Sequence, residues 1–233
     1  MTRSNSRPIN LPSSGRIKDF QLIITGWYEQ NSREFPWRKK SSSLYQKIIS
    51  EVLLQRTRAE TVAAFFPAFI FTFPTWKALA MASESELAVF IRPIGLWQRR
   101  ASILSQLGKE MARRNGRFPR TRPEIEALPG VGQYIANAIQ LFSEGKPMPL
   151  LDVNMARVLE RYFGPRTLAD IRHDQYLQQL SLKIVDCDNP QKMNWAILDL
   201  AALVCRTDQP KHFACPLNRG CIFLRNISKS NEL

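Results

Sequence analysis

Apolar positions along this chain recur mostly at helical spacing. Ile48, Ile49, Val52 and Leu53 share one face, which predicts a helix over 45–56. Ile135, Ala138, Ile139 and Phe142 fall at i, i+3, i+4 and i+7, so a helix follows the glycine-bearing turn "LPGVG". Val158, Leu159 and Tyr162 continue the pattern after the Pro/Gly-rich break "SEGKPMPLLD", and a further helix runs through "MNWAILDLAALVC". Ser83 with Glu86, and Thr121 with Glu124, have the spacing of capping boxes ahead of apolar runs. Alternating strand patterns are scarce, and no repeat or low-complexity block stands out. The expectation is an all-α fold, preceded by a disordered basic tail over 1–15, "MTRSNSRPINLPSSG".

With 233 residues, 44% of them hydrophobic, the chain can bury one large core or two smaller ones. Lys and Arg number 33 against 20 Asp and Glu, a net charge of +13. Solubility does not need so one-sided an excess; it points to a polyanion partner, nucleic acid before membrane surface. The tail lacks the apolar core of a signal peptide. The most apolar stretch, "TVAAFFPAFIFTF", is too short to span a bilayer and contains Pro67. These features predict a cytoplasmic protein without a membrane partner, whose four cysteines are not expected to form structural disulfides.

A short helix over about 123–128, a Gly-x-Gly turn and the helix after it make a helix-hairpin-helix. Leu128, Gly130, Val131, Gly132 and Gln133 form its turn. Glycines let backbone N–H groups approach a phosphate, and the second helix aims its positive N-terminus the same way. Such a unit grips DNA backbone without reading bases. Tyr134 opens that second helix, where packing on neighbours and lining a pocket are both open to it. Downstream, in "PLLDVNMARVLERYFG", Asp152 sits at a helix start. Asp is a preferred N-cap. A carboxylate there is also expected to stay ionised, as an enzyme needs beside a developing sugar cation. Glu51 lies beside Ile48 and Leu54, either pairing with Lys47 or facing a pocket.

"LPGVGQYIANAI … LLDVNMARVLERYFG", with "REFPWRKK", "SEVLLQRTRAETV" and "IGLWQRRA" in the same order, resembles the endonuclease III superfamily of helix-hairpin-helix DNA glycosylases. The match spans roughly 20–225. Among these, the thymine-DNA mismatch glycosylases and the adenine-mismatch (MutY) enzymes are most similar. Bifunctional members carry at the Tyr134 position a lysine that forms a Schiff base with the sugar. Tyr134 stands eighteen positions before Asp152, as in the monofunctional thymine-mismatch enzymes. The resemblance implies that Asp152 stabilises the sugar cation, Glu51 assists the leaving base, and Asn154 positions water or backbone. Gln55 or Arg56, and Trp97 or Gln98, fall at the positions of wedges that fill the gap left by the extruded base, though Trp97 equally suits a core.

The resemblance further implies a two-lobed architecture, with a helical barrel over 41–145 and a second lobe from 16–40 and 146–228. The DNA cleft is then expected between the lobes. Related glycosylases often hold a [4Fe–4S] cluster in a C-x6-C-x2-C-x5-C loop near the C-terminus. Here Cys205, His212, Cys215 and Cys221 give C-x6-H-x2-C-x5-C over 205–221. A three-Cys, one-His cluster, tetrahedral zinc and a lost site are the three readings. The cluster is favoured because one of only two histidines falls on a ligand position. It would shape a loop bringing Lys211 and Arg219 toward phosphates.

The function implied is a monomeric, nucleoid-associated N-glycosylase of base excision repair acting on double-stranded DNA. It would remove thymine or uracil from T·G or U·G mismatches without lyase activity. The alternatives are adenine removal opposite 8-oxoguanine or guanine, a modified-base activity, and a non-catalytic DNA-binding module. The chain ending at Leu233, soon after Cys221, disfavours the adenine reading, whose proteins carry a further C-terminal domain. The two carboxylates disfavour the binding module, and the missing lysine disfavours a lyase.

Overall fold

The computed structural model describes residues 9–230, and among these no strand occurs. Among the described residues twelve α-helices follow one another: α1 (Ser14–Asn31), α2 (Leu44–Leu54), α3 (Ala59–Thr72), α4 (Trp76–Met81), α5 (Glu84–Ile91), α6 (Trp97–Arg113), α7 (Arg122–Glu126), α8 (Gln133–Glu144), α9 (Val153–Phe163), α10 (Gln175–Val185), α11 (Pro190–Leu203) and α12 (Ile222–Ser230). None of the described helices is long and apolar enough to cross a membrane.

The helix starts follow local chemistry. Both capping boxes expected from the sequence form, at Ser83–Glu86 on α5 and Thr121–Glu124 on α7. A third, Ser43 with Gln46, starts α2. Within the stretch read as a disordered basic tail over 1–15, Ser14 and Gly15 are helical, and Ser13 caps the first turn through a bond from the Arg16 N–H. Residues 1–8 of that tail lie outside the described residues.

The chain divides into two compact units, Glu34–Glu144 and the remainder, Met1–Arg33 with Gly145–Leu233. In Glu34–Glu144, α2 packs on α3 and α8, and α6 packs on α4 and α5. Ile48, Ile49 and Leu53 of α2 and Ile135, Ala138 and Ile139 of α8 are fully or almost fully buried. An aromatic cluster of Phe65, Phe69, Phe73 and Phe90 closes one side, with neighbouring centroids 5.2 to 6.2 Å apart. Pro67 sits inside α3, whose Phe66 and Phe69 are buried, so tertiary packing holds a helix that proline weakens. The stretch 34–40, read from the sequence with the second lobe, belongs to this unit. Phe35 stacks on Trp37 at 4.8 Å, and Trp37 meets Phe66 edge-on at 5.4 Å.

In the other unit α11 packs on α1, α9 and α10, and α12 packs on α9. Phe20 of α1 lies 5.3 Å from Tyr162 and 5.2 Å from Phe163 of α9. Arg16 donates to the carbonyls of Tyr162 (2.7 Å) and Gly220 (3.1 Å), tying α1 to α9 and to the cysteine-bearing loop.

Candidate active site and nucleic-acid interface

The hairpin between α7 and α8 is built for close approach. Gly130 has φ +72°, and a Cβ there would stand 2.3 Å from Ile103 Cγ2 on α6. At Gly132, by contrast, a Cβ would meet nothing within 4 Å. One glycine is therefore demanded by packing, and the other keeps the outer face of the turn low. Arg122 locks the motif. Its guanidinium pairs with Glu126 at 2.7 Å and donates to Asn137 Oδ1 (2.6 Å), Gln140 Oε1 (2.9 Å) and the Gln133 carbonyl (3.2 Å). Leu128 and Val131 are buried, so of the five turn residues these two can meet a ligand through backbone only; Gly130 and Gly132 are exposed and Gln133 is half-buried. Replacing Gly130 with alanine adds the Ile103 clash to an unfavourable φ. The Gly130→Ala variant is expected to lose about 2 kcal/mol or more of stability, read from urea melts.

Glu51 is 4% exposed on α2. Tyr134 reaches it from the first turn of α8, its Oη donating to Glu51 Oε2 at 3.0 Å. The tyrosine therefore neither merely packs nor stands alone; it orients a buried carboxyl group.

Asp152 is the N-cap of α9. Its Oδ1 accepts the N–H groups of Asn154 (2.9 Å) and Met155 (2.8 Å), and its Oδ2 accepts Asn154 Nδ2 at 2.7 Å. The cap is not the only influence on its ionisation. Burial pushes the carboxyl pKa above its usual value, and the bonds from Met155 and Asn154 and the charge of Arg157 offset this only in part.

Two residues that the sequence reading passed over hold Asp152 in place. Arg157, one turn along α9, donates to Asn154 Oδ1 (3.1 Å) and to the carbonyls of Cys205 (2.8 Å) and Ala201 (3.1 Å). Asn194, fully buried, accepts the Leu150 N–H at 2.6 Å and donates to Met148 and Pro190 carbonyls, fixing the loop that leads into Asp152. An asparagine inside the apolar run "MNWAILDLAAL" was the available clue, since a buried amide needs partners.

Gln55, Arg56, Trp97 and Gln98 are all exposed, so Trp97 is not core. Leu96, not singled out from the sequence, is 50% exposed and has φ +50°, and Arg56 has φ +56°. Each of the two turns thus has one non-glycine residue on left-handed backbone, Arg56 beside Gln55 in one and Leu96 beside Trp97 in the other.

The cysteine loop is held mainly by arginine. Arg161 donates to Cys205 Sγ (3.5 Å) and to the carbonyls of Arg206 (2.7 Å) and Thr207 (3.1 Å), while Cys221 Sγ donates to the Arg161 carbonyl at 3.2 Å. Burial pushes the Cys215 thiol up to about 11, with Cys205 and Cys221 close enough to add to the rise. The His212 ring lies 6.2 Å from Phe223. The four-residue ligand set suggested by the spacing is not assembled: among the described residues no three His, Cys, Asp or Glu side chains are placed to hold a metal ion. The donor chemistry still suits one, with three thiols in mutual electrostatic reach and a guanidinium beside Cys205.

The family model described as HhH-GPD superfamily base excision DNA repair protein matches residues 49–195. The chain is 36% identical over 217 residues to the thymine-DNA glycosylase of Aeropyrum pernix, covering 91% of this chain and 97% of that one. It is 31% identical over 205 residues to the adenine DNA glycosylase of Buchnera aphidicola subsp. Acyrthosiphon pisum, covering 87% of this chain and 58% of that one. Among solved structures, a thermostable thymine-DNA glycosylase superposes with a TM-score of 0.83 at 30% identity, covering 91% of this chain and 98% of that one.

Proposed function

The chain belongs to the HhH-GPD superfamily of base excision DNA repair proteins, and from that premise we propose that it is a monofunctional N-glycosylase removing thymine or uracil mispaired with guanine in double-stranded DNA. The observation that carries this reading is the Tyr134–Glu51 hydrogen bond at 3.0 Å. A phenol in that pair forms no Schiff base, which supports the monofunctional reading.

The exposed hairpin turn and the N-terminus of α8 hold phosphates, and the target nucleotide leaves the stack. The C1′–N bond breaks with its electron pair going to the base, through an oxocarbenium-like transition state. Asp152, ionised, stabilises the sugar cation and takes the proton of the water that adds to C1′. Asn154 keeps the Asp152 carboxylate oriented through the 2.7 Å bond to Oδ2. Glu51, oriented by Tyr134, protonates or hydrogen-bonds the departing base. The products are free base and an intact strand bearing an abasic site. The first test is a single-turnover assay on a T·G duplex. Strand breaks are expected only after alkali; breaks without alkali, or a borohydride-trapped covalent complex, overturn the monofunctional reading.

The relative of 36% identity supports thymine as the base, and the 31% relative keeps adenine removal as the second reading. For the cysteine loop, the reading retained is that Cys205, His212, Cys215 and Cys221 hold a [4Fe–4S] cluster. It would supply a structural tie for the loop bearing Lys211 and Arg219, and no catalytic step passes through it. Purified protein is expected to contain iron and sulfide and to absorb in the visible. Zinc in a colourless protein, or a metal-free active one, removes the cluster.

A further inference from the structure

Arg100 is 4% exposed on α6, yet none of its partners is a carboxylate in the contacts that define its place. One guanidinium nitrogen donates to the carbonyls of Ile94 (3.1 Å) and Gly95 (2.6 Å). The other donates to the Gln55 carbonyl (2.7 Å) and to Thr57 Oγ1 (3.0 Å). Thr57 closes the ring, its hydroxyl donating to the Ile94 carbonyl at 3.2 Å. The two segments so joined are 37 or more positions apart in sequence. Each carries a non-glycine residue in the left-handed region, Arg56 at φ +56° and Leu96 at φ +50°. Such backbone persists only when its surroundings hold it. What the segments project is exposed: Gln55 and Arg56 from one, Leu96 and Trp97 from the other.

We propose that Arg100 is a positioning residue that fastens the Gln55–Thr57 and Ile94–Leu96 turns into one rigid platform, so that their exposed side chains enter the duplex as a unit when the mispaired base is extruded. The inference rests on the glycosylase reading. A planar guanidinium suits this task, with two donor nitrogens serving two turns at once. A lysine, a point charge on a flexible stem, cannot reproduce the fork. Burying a cation without a partner anion is costly, and the four acceptors offset that cost.

The test uses the Asp152→Asn protein, so that the base stays attached, and a T·G duplex with 2-aminopurine beside the mismatch. Its fluorescence rises when the stack is opened. Adding Arg100→Lys, or separately Thr57→Val, is expected to remove most of that rise. Duplex Kd should stay within about threefold, because phosphate contacts dominate affinity, and Tm should hold. In the Asp152 wild-type background, base release from the same duplex is expected to fall about 10²-fold, the cost of a slight misplacement. If Arg100→Lys lowers Tm, duplex affinity and fluorescence together, Thr57→Val decides. A full fluorescence rise in a folded Thr57→Val protein overturns the proposal, as does an Asp152→Asn parent that shows no rise although the unsubstituted chain releases base. Base release by the unsubstituted chain, measured alongside, reports separately on the glycosylase reading.

Discussion

Replacing Asp152 with asparagine is expected to slow single-turnover base release by about 10³-fold or more while leaving duplex affinity and the helical circular dichroism unchanged. The reasons are local. Asparagine keeps an oxygen to accept the Asn154 and Met155 N–H groups that cap α9, so the fold survives. It loses the negative charge that the sugar cation requires. The unsubstituted protein adds a pH signature. Burial raises the Asp152 pKa, and only the ionised form stabilises the cation. The rate is therefore expected to rise with pH through a midpoint above the ordinary aspartate value near 4, and to fall again as pH drops through that midpoint. The Asp152→Asn variant should lack this limb. Normal turnover by the variant, or an acid limb at or below the ordinary value, contradicts the assigned role.

Glu51→Gln is expected to slow base release by about 10²-fold, the usual contribution of a positioned acid. Tyr134→Phe should cost less, because the carboxyl group remains and only its orientation is loosened. The informative quantity is the double variant. Tyr134 acts on the reaction through its 3.0 Å bond to Glu51. Once Glu51 is gone the tyrosine has nothing left to orient, so the double variant is expected to match Glu51→Gln alone. Fully multiplicative effects would mean that Tyr134 touches the nucleotide directly, and the present account of the pair would fail.

Most of what was legible in the sequence is local. The periodicity of Ile135, Ala138 and Ile139 gave α8 because one face of that helix is buried. Ser83 and Thr121 announced their helices because a cap needs only residues three apart. Asp152 and Tyr134 stood out for the same reason: each opens a helix beside a break in the pattern. What escaped depends on partners distant in the chain. Arg157 and Asn194 act through bonds to Cys205 and Leu150, 48 and 44 positions away, which no local pattern announces. Nothing in the sequence marks Arg100 as buried or Leu96 as strained, since left-handed φ at a non-glycine residue leaves no mark in composition. The upward push on the Asp152 pKa is likewise hidden, because the cap is a sequence feature and burial is not. The loop 205–221 shows the same limit. Spacing named four ligands, whereas their placement depends on Arg161 and Phe223.

The central claim is the identity of the released base, and competition between duplexes tests it most directly. T·G, U·G, A·8-oxoguanine and fully paired duplexes, each distinguishable by length and labelled on both strands, are incubated together with excess protein and read after alkali. Cleavage confined to the T or U strand of the T·G and U·G duplexes is the predicted result; cleavage confined to the adenine strand opposite 8-oxoguanine would contradict it.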